Sequence, residues 1–377
     1  MNKELQNIPA VLAVLWRMHR RNPTFMSFNV SNRCNEQCLM CSVWRTPSEE
    51  LSLVEMERIF LDVRRFGIRV LEISGGEPFL RKDIFEILKL VDRIGFLFTV
   101  SSNGTLLDPA FVERLNGFRR MLQLAVSVDS LERDVFRKLR GVDALPRVLG
   151  NLEALVEKKP SFPVKINFTM NRFNYRETMT LLDYAEKLGI FLSVFPVNQG
   201  PGFLHRSSEN DFLPRQEERR EMASLFRHLA GLRKQGAPLW DFSRFYERAA
   251  AYVLSDPVGP CDAGSLYLDL HADGILAPCV DQEGIGDLRR EGISEAYKRI
   301  EAQRARLAAC AKSSPCCYTC TYHVSVTASN LAAYGRERLT TGVRRLLRKK
   351  PAQRNSRFEV SGTAREDNAW NTRTRLP

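Results

Sequence analysis

From residue 24 onward the chain alternates short apolar runs with longer stretches in which apolar positions recur every three or four residues. Residues 25–31 (FMSFNVS) predict a strand. Ser52 to Phe66 predicts a helix, because Ser52 and Glu55 have the spacing of a capping box and Gly67 supplies the stop. Residues 70–74 predict a second strand, Asp83 to Ile94 a second helix, and residues 96–102 a third strand. Asp108-Pro109 pairs a capping residue with proline at the first helical position, so another helix starts there. Residues 122–129 form the fourth predicted strand, followed by helical material to about Lys158; residues 164–170 form the fifth. Asn174, with Glu177 three residues on, predicts the next helix start, and residues 191–197 the sixth strand.

Six β-then-α units with short connections imply a parallel sheet. A doubly wound sheet and a partial barrel both satisfy the pattern, and in both the site lies at the carboxyl ends of the strands. Beyond the sixth strand the periodicity weakens. Residues 199–203 read as a loop, and Pro214 to Gln235 as a charged helix. Residues 266–279 form two alternating runs around Asp273-Gly274, a hairpin signal. The tail from about Gly335 is basic and then polar, with a short amphipathic helix at 342–350 and little order expected past Pro351.

Composition adds little to this picture. The 377 residues carry a net charge of +12, which suits an anionic partner but is also common in soluble enzymes. The apolar run Ile8–Trp16 is too short to span a bilayer and lacks a cleavage pattern, so a cytoplasmic protein is expected. Nine cysteines are too few for a disulfide scaffold of this length, and they cluster. In a reducing compartment clustered cysteines point to metal. The five histidines show no metal-ligand spacing.

Cys34, Cys38 and Cys41 stand in C-x3-C-x2-C spacing just after the first strand. A closed zinc site, or an electron-transfer cluster, wants four protein ligands. Three cysteines on a four-iron cubane leave one iron open to a non-protein ligand. Zinc completed by a distant residue is the alternative.

Further motifs follow the next strands in order: Gly75-Gly76-Glu77-Pro78 after the second, Ser102-Asn103-Gly104 after the third, and Ser127-Val128-Asp129 with Arg140-Gly141 after the fourth. Together with the cysteine triad they resemble the radical S-adenosylmethionine (radical SAM) superfamily over about residues 24–200. The resemblance implies a partial (β/α)6 TIM-like barrel. It also implies a [4Fe-4S] cluster on Cys34, Cys38 and Cys41, with the amino and carboxylate groups of S-adenosylmethionine on the open iron. One-electron cleavage of the sulfonium would then give a 5′-deoxyadenosyl radical that abstracts hydrogen from a substrate. Gly75, Gly76, Glu77 and Pro78 are expected at the amino group, Arg140 at the carboxylate, Ser127 and Asp129 at the ribose, and Met40 near the adenine. Ser102 and Asn103 complete the expected cofactor-binding set, with Asn171 as a weaker contact.

Cys261 and Cys279 bracket the predicted hairpin in C-x12-G-x4-C spacing, which resembles the opening of the SPASM/twitch extension. Cys317 and Cys320 would complete a four-cysteine auxiliary [4Fe-4S] site, leaving Cys310 and Cys316 spare; a structural zinc is the alternative. The expected organisation is an N-terminal helix (1–23), a barrel core (24–200), a helical linker (201–260), a twitch-like domain (261–334) and a basic, flexible tail (335–377). The expected partners are S-adenosylmethionine, a low-potential donor of flavodoxin or ferredoxin type and a peptide or small-molecule substrate, with a weak anionic-surface contact through the tail. An RNA- or nucleotide-modifying enzyme and a non-catalytic metal-stabilised module are the competing readings.

Overall fold

The computed structural model describes residues 3–198, 211–256, 261–307 and 323–347. Helix α1 (Lys3–His19) leads into β1 (Phe25–Asn29). Strands β2 (Val70–Ser74), β3 (Leu97–Ser102), β4 (Met121–Ser127), β5 (Val164–Met170) and β6 (Phe191–Pro196) follow. The helices between them are α2 (Leu53–Phe66), α3 (Ile84–Ile94), α4 (Pro109–Asn116), α5 (Arg133–Arg140), α6 (Leu145–Glu157) and α7 (Thr178–Leu188). Then come α8 (Gln216–Lys234), α9 (Ser243–Val253), β7 (Tyr267–Leu270), β8 (Ile275–Ala277), β9 (Gly286–Asp287), α10 (Ile293–Ala302), α11 (Val324–Ala328) and α12 (Leu331–Leu347).

The strands form one sheet in the order β6-β5-β4-β3-β2-β1-β7-β8-β9. Strands β1 to β6 are parallel in sequence order, which is the partial (β/α)6 barrel. Curvature separates this from a doubly wound sheet: Glu72, Thr99, Lys165 and Tyr267, from four different strands, all line one interior cavity. Apolar residues on the other face of the strands pack under the helices. α3, for example, buries Ile84, Phe85, Ile87, Leu88, Leu90 and Val91 and stops at Gly95, whose φ of 97° suits only glycine comfortably.

The predicted hairpin forms around Asp273-Gly274, and β7 pairs in parallel with β1, Phe25 opposite Tyr267. The segment carrying Cys261 and Cys279 is therefore fastened to the barrel by backbone hydrogen bonds. At the other edge, Leu192 N donates to Pro238 O at 2.8 Å and Trp240 N to Leu192 O at 2.8 Å, which covers β6.

The helical material expected after β4 forms as two helices, broken at Gly141, which takes a φ of 71°. Two other expectations change. Asn174 and Glu177 form no capping box; a 3-10 turn, Tyr175–Glu177, precedes α7. Those two side chains are drawn elsewhere. Asn174 Nδ2 donates to Asp129 O at 2.8 Å, and Glu177 accepts from Ser130 Oγ at 2.7 Å and Leu131 N at 2.8 Å. They tie the loop after β5 to the loop after β4. Finally, residues 335–347, expected within a flexible tail, lie in α12, where Glu337 pairs with Arg233 at 3.2 Å. The loop at 199–203 and the tail beyond 347 fall outside the described residues.

Arg81 closes the base of the long loop between β1 and α2. Its side chain is 6% exposed. It donates to Val30 O at 2.8 Å, Leu51 O at 2.5 Å and Asp83 Oδ1 at 2.7 Å. Arg81→Ala is expected to cost roughly 3 kcal/mol, since it leaves buried acceptors without a donor. Arg81→Lys should recover less than half, because an ammonium cannot reproduce the fork. Urea unfolding of the reduced, metal-free protein measures both; an unchanged midpoint for Arg81→Ala would show that the loop is held by other contacts.

Candidate active site

The loop after β1 carries the three cysteines, and its backbone is held from two sides. On one side Gly76 N donates to Ser31 O at 2.8 Å and Glu77 N to Arg33 O at 2.9 Å. A Cβ at Gly75 would stand 2.3 Å from Ser31 O, and one at Gly76 2.1 Å from Arg33 O. On the other side Gln37 N donates to Arg140 O at 3.0 Å and Leu39 N to Leu139 O at 2.8 Å. A Cβ at Gly141 would stand 2.6 Å from Gln37 O. The glycines of both motifs are thus required by close approach of backbone to backbone.

Between these supports lies a cavity of about 210 Å³ at the carboxyl ends of the strands. Cys34, Cys38, Met40, Cys41, Gly75, Gly76, Ser102, Asn103, Ser127, Asp129 and Arg140, all singled out in the sequence, line it. Glu36, Trp44, Ser74, Ser101 and Thr169 also line it. Ser74, Ser101 and Thr169 belong to the same inward-facing alternation as Ser127, a signal readable from the strands alone. Glu36, a lone acid inside the cysteine spacing, was the other available sign.

Glu77 and Pro78 do not line the cavity, which differs from the expected contact with a ligand. Pro78 begins a buried 3-10 turn. The Glu77 carboxylate lies behind the wall, where it accepts from Asn103 N at 2.7 Å, Phe79 N at 3.0 Å and Ser102 Oγ at 3.0 Å. It fastens the turn after β2 to the turn after β3. Asn171 is likewise internal: its Oδ1 accepts from Phe173 N at 2.9 Å.

Arg140 is buried and already bound. Its Nη2 meets Asp129 Oδ2 at 2.7 Å and its Nη1 meets Glu36 Oε2 at 3.2 Å. Asp129 Oδ1 accepts from Thr169 N at 2.8 Å. Burial pushes both carboxyls above their ordinary pKa, and Arg140 pulls them back. Glu36 Oε1 and Arg140 Nε are buried without a hydrogen-bond partner among the described residues, so this network has capacity left for a polar ligand.

The donor set fits an iron–sulfur cluster. Burial pushes the Cys34 thiol up to about 11 and raises those of Cys38 and Cys41, so without a cation the thiols keep their protons. A bound metal removes them. N–H groups stand ready at the sulfurs: Glu36 N is 3.4 Å from Cys34 Sγ, Asn103 Nδ2 3.9 Å from Cys34 Sγ, and Arg140 Nη1 3.7 Å from Cys38 Sγ. Such donors tune cluster potentials.

Cys261 precedes β7 and Cys279 follows β8, at the end of the hairpin away from its turn. Gly264 N donates to Pro278 O at 3.0 Å, which sets the two segments side by side. Asn198, just beyond β6, donates to Asp281 at 3.2 Å, joining the loop after Cys279 to the opposite edge of the barrel. Cys310, Cys316, Cys317 and Cys320 lie outside the described residues.

Burial raises the Glu77 carboxyl from its ordinary value of about 4.5 to about 7. The folded protein therefore holds this proton more tightly than the unfolded chain does, and Glu77 contributes stability at low pH that is lost as pH rises from about 4.5 to about 7. The Glu77 share of the slope should be absent from Glu77→Gln, which has no titrating carboxyl there. Denaturant midpoints of the metal-free protein between those pH values decide it; parallel wild-type and variant profiles would show that the hydrogen bonds to Glu77 outweigh its burial.

The Radical SAM superfamily profile matches residues 28–190. A probable GTP 3′,8-cyclase of Saccharolobus solfataricus is 30% identical over 184 residues, covering 46% of this chain and 58% of the relative. The AdoMet-dependent heme synthase of Methanosarcina barkeri is 32% identical over 171 residues, covering 44% of this chain and 48% of the relative. The chain thus spans about half the length of these relatives. Among solved structures, native anSMEcpe with bound AdoMet and the Cp18Cys peptide shares the fold with a TM-score of 0.60 at 15% identity, over 85% of this chain and 99% of that one. The domain at residues 28–190, with the cysteine loop at its mouth, is a radical SAM domain.

Proposed function

We propose that the protein is a radical SAM enzyme that cleaves S-adenosylmethionine reductively and uses the resulting 5′-deoxyadenosyl radical to abstract hydrogen from a substrate. The observation that carries this reading is the convergence of Cys34, Cys38 and Cys41 with Ser102, Asn103, Ser127, Asp129 and Arg140 on one cavity. When bound, a reduced [4Fe-4S] cluster supplies the electron that breaks the sulfonium C–S bond. The protein's residues do the rest. The three thiolates hold the group. Gly75 and Gly76 bring backbone to the cavity wall for the ligand's amino group. Arg140 meets the carboxylate by exchanging one of its present partners, and Ser127 offers a hydroxyl to the ribose. Met40 and Trp44 give apolar surface to the adenine. The barrel wall and the loops at its mouth shield the radical from water.

The same reading assigns Cys261, Cys279, Cys317 and Cys320 to an auxiliary cluster in a twitch-like extension, and a small, low-potential flavodoxin or ferredoxin as electron donor. For the substrate, the barrel interior favours a small polar molecule. Two residues below Ser74 and Thr169 on the same strand faces stand Glu72 and Asn167, in a cavity of about 340 Å³ shared with Gln123, Lys165, Trp240 and Asp241. Gln123 Oε1 and Asn167 Oδ1 are buried there without a hydrogen-bond partner among the described residues. Burial lowers the pKa of Lys165 while Asp241 and Glu72 oppose it. Orphaned acceptors beside an indole face suit a planar, donor-bearing group such as a nucleobase. The relative named as a GTP cyclase supports a nucleotide; the peptide bound to anSMEcpe supports the alternative of a peptide side chain.

Anaerobically reconstituted, dithionite-reduced protein is expected to release 5′-deoxyadenosine, and Cys34→Ala to abolish it. Iron should be about eight per chain, falling to about four in Cys261→Ala. No 5′-deoxyadenosine from protein with a full iron complement would overturn the proposal, whereas four irons in the wild type would remove only the auxiliary cluster. Asn167→Leu tests the lower chamber. It should leave substrate-free cleavage unchanged and lower at least tenfold the turnover stimulated by GTP, the first small molecule to try. Undiminished stimulation in Asn167→Leu would exclude the chamber from substrate binding.

A further inference from the structure

Helix α1 is apolar on two faces. Val14 and Met18 pack inward on Val70, Leu97, Leu266, Tyr267 and Val324, at the amino end of the barrel. On the outward side Ile8, Val11, Leu12 and Trp16 are 46%, 40%, 59% and 60% exposed. Ile8, Leu12 and Trp16 recur every four residues along one ridge of the helix, with Val11 on its flank toward the buried side. The other exposed large apolar side chains among the described residues, Val54, Leu61 and Leu339, lie scattered on other helices.

A second feature adjoins this ridge. Lys89, Arg93, Arg114, Arg119 and Arg120 line an open groove of about 550 Å³ whose only acidic lining residue is Asp92. Asp92 Oδ1 is engaged by Arg120 N at 2.8 Å. Arg93 pairs with Glu57 at 2.8 Å, while neither Lys89 nor Arg119 has an ion pair among the described residues. Asn7 of α1 donates to Arg119 O at 3.0 Å, which fixes the ridge beside the groove. His19 and Arg20 extend the basic surface, both exposed at the end of α1.

We propose that this face, the amino end of the barrel, docks on an anionic lipid bilayer, with the α1 ridge in the headgroup–acyl boundary and the basic groove against lipid phosphates. An apolar ridge with an outward tryptophan beside unpaired cations is the arrangement of an interfacial helix. A nucleic acid would engage the groove but has no use for an exposed ridge of Ile8, Leu12 and Trp16. None of the described helices is long and apolar enough to cross a membrane, so the contact lies on the surface. The net charge of +12 adds long-range attraction of the same sign. Docking in this way turns the cysteine cavity, at the opposite ends of the strands, away from the lipid.

The test is sedimentation of the full chain with phosphatidylcholine vesicles, with and without about one-third phosphatidylglycerol, at low and physiological salt. The wild type should bind the anionic vesicles at least tenfold more tightly than the neutral ones, with a blue shift of tryptophan emission that is lost in Trp16→Phe. Leu12→Asp and the double variant Lys89→Glu with Arg119→Glu should each weaken binding at least tenfold at an unchanged melting temperature. Every one of these side chains is exposed, so folding is not at stake. Equal binding to both vesicle types would overturn the proposal. So would anionic binding that survives Leu12→Asp, which would place the contact in the basic tail. A concentration-dependent dimer abolished by Leu12→Asp would mean that a second copy covers the ridge. Groove-dependent retention of RNA without lipid binding would assign the cations to nucleic acid.

Discussion

The structure depends most on a lack of room. At Gly75, Gly76 and Gly141 the cysteine loop lies so close to its two supports that an added methyl group would stand between 2.1 and 2.6 Å from a carbonyl oxygen of that loop. Backbone N–H groups of Gly76, Glu77, Gln37 and Leu39 convert this proximity into hydrogen bonds. A loop that must present three sulfurs to one inorganic group gains little from side-chain packing, because side chains re-rotamerise and backbone ladders do not. Support of this kind holds ligating side chains to the tolerance that chemistry requires. The two glycine motifs are therefore instruments of loop geometry before they are contacts to a ligand.

Charge in the cavity follows the same economy. Glu36 and Asp129 share one guanidinium, that of Arg140, and Glu36 retains an oxygen with no hydrogen-bond partner. Two carboxylates against one cation leave the pocket negative even before the thiols ionise. A ligand bearing an ammonium and a sulfonium is favoured by that balance, while its carboxylate must compete for Arg140. Burial makes the competition close, since the acids are already held above their usual pKa range.

Much of this was legible in the sequence because its causes are local. The capping box at Ser52 and Glu55, proline after Asp108, and Asp273-Gly274 each act within a few residues, and the structure contains each of them. The cavity-lining motifs were legible for a similar reason: each follows a strand, and parallel strands bring their carboxyl ends together. What escaped was non-local. Asn174 and Glu177 have capping spacing but are claimed by partners 45 and 47 residues away, Asp129 and Ser130. Glu77 turns behind the cavity wall because Asn103 N and Ser102 Oγ offer it three short hydrogen bonds. The pairing of β7 with β1 joins residues more than two hundred positions apart, and no periodicity encodes it.

The amino end of the barrel sets a further condition. A lumen that carries Glu72, Lys165, Asn167 and Asp241 would fill with bulk water if left open below, and a radical intermediate needs the reverse. Val324, Tyr334 and Arg338 cover the lumen there, and the inner face of α1 packs Val14 and Met18 over Tyr267 and Val324 behind them. That task uses one face of a helix and explains its buried residues completely. It does not explain Leu12 and Trp16, each more than half exposed on the face turned to solvent. Exposure of that size runs against the hydrophobic effect by roughly 1–2 kcal/mol per large side chain compared with burial. Four exposed apolar positions on α1, next to a groove with five cations, are the surface that the proposed lipid contact would cover.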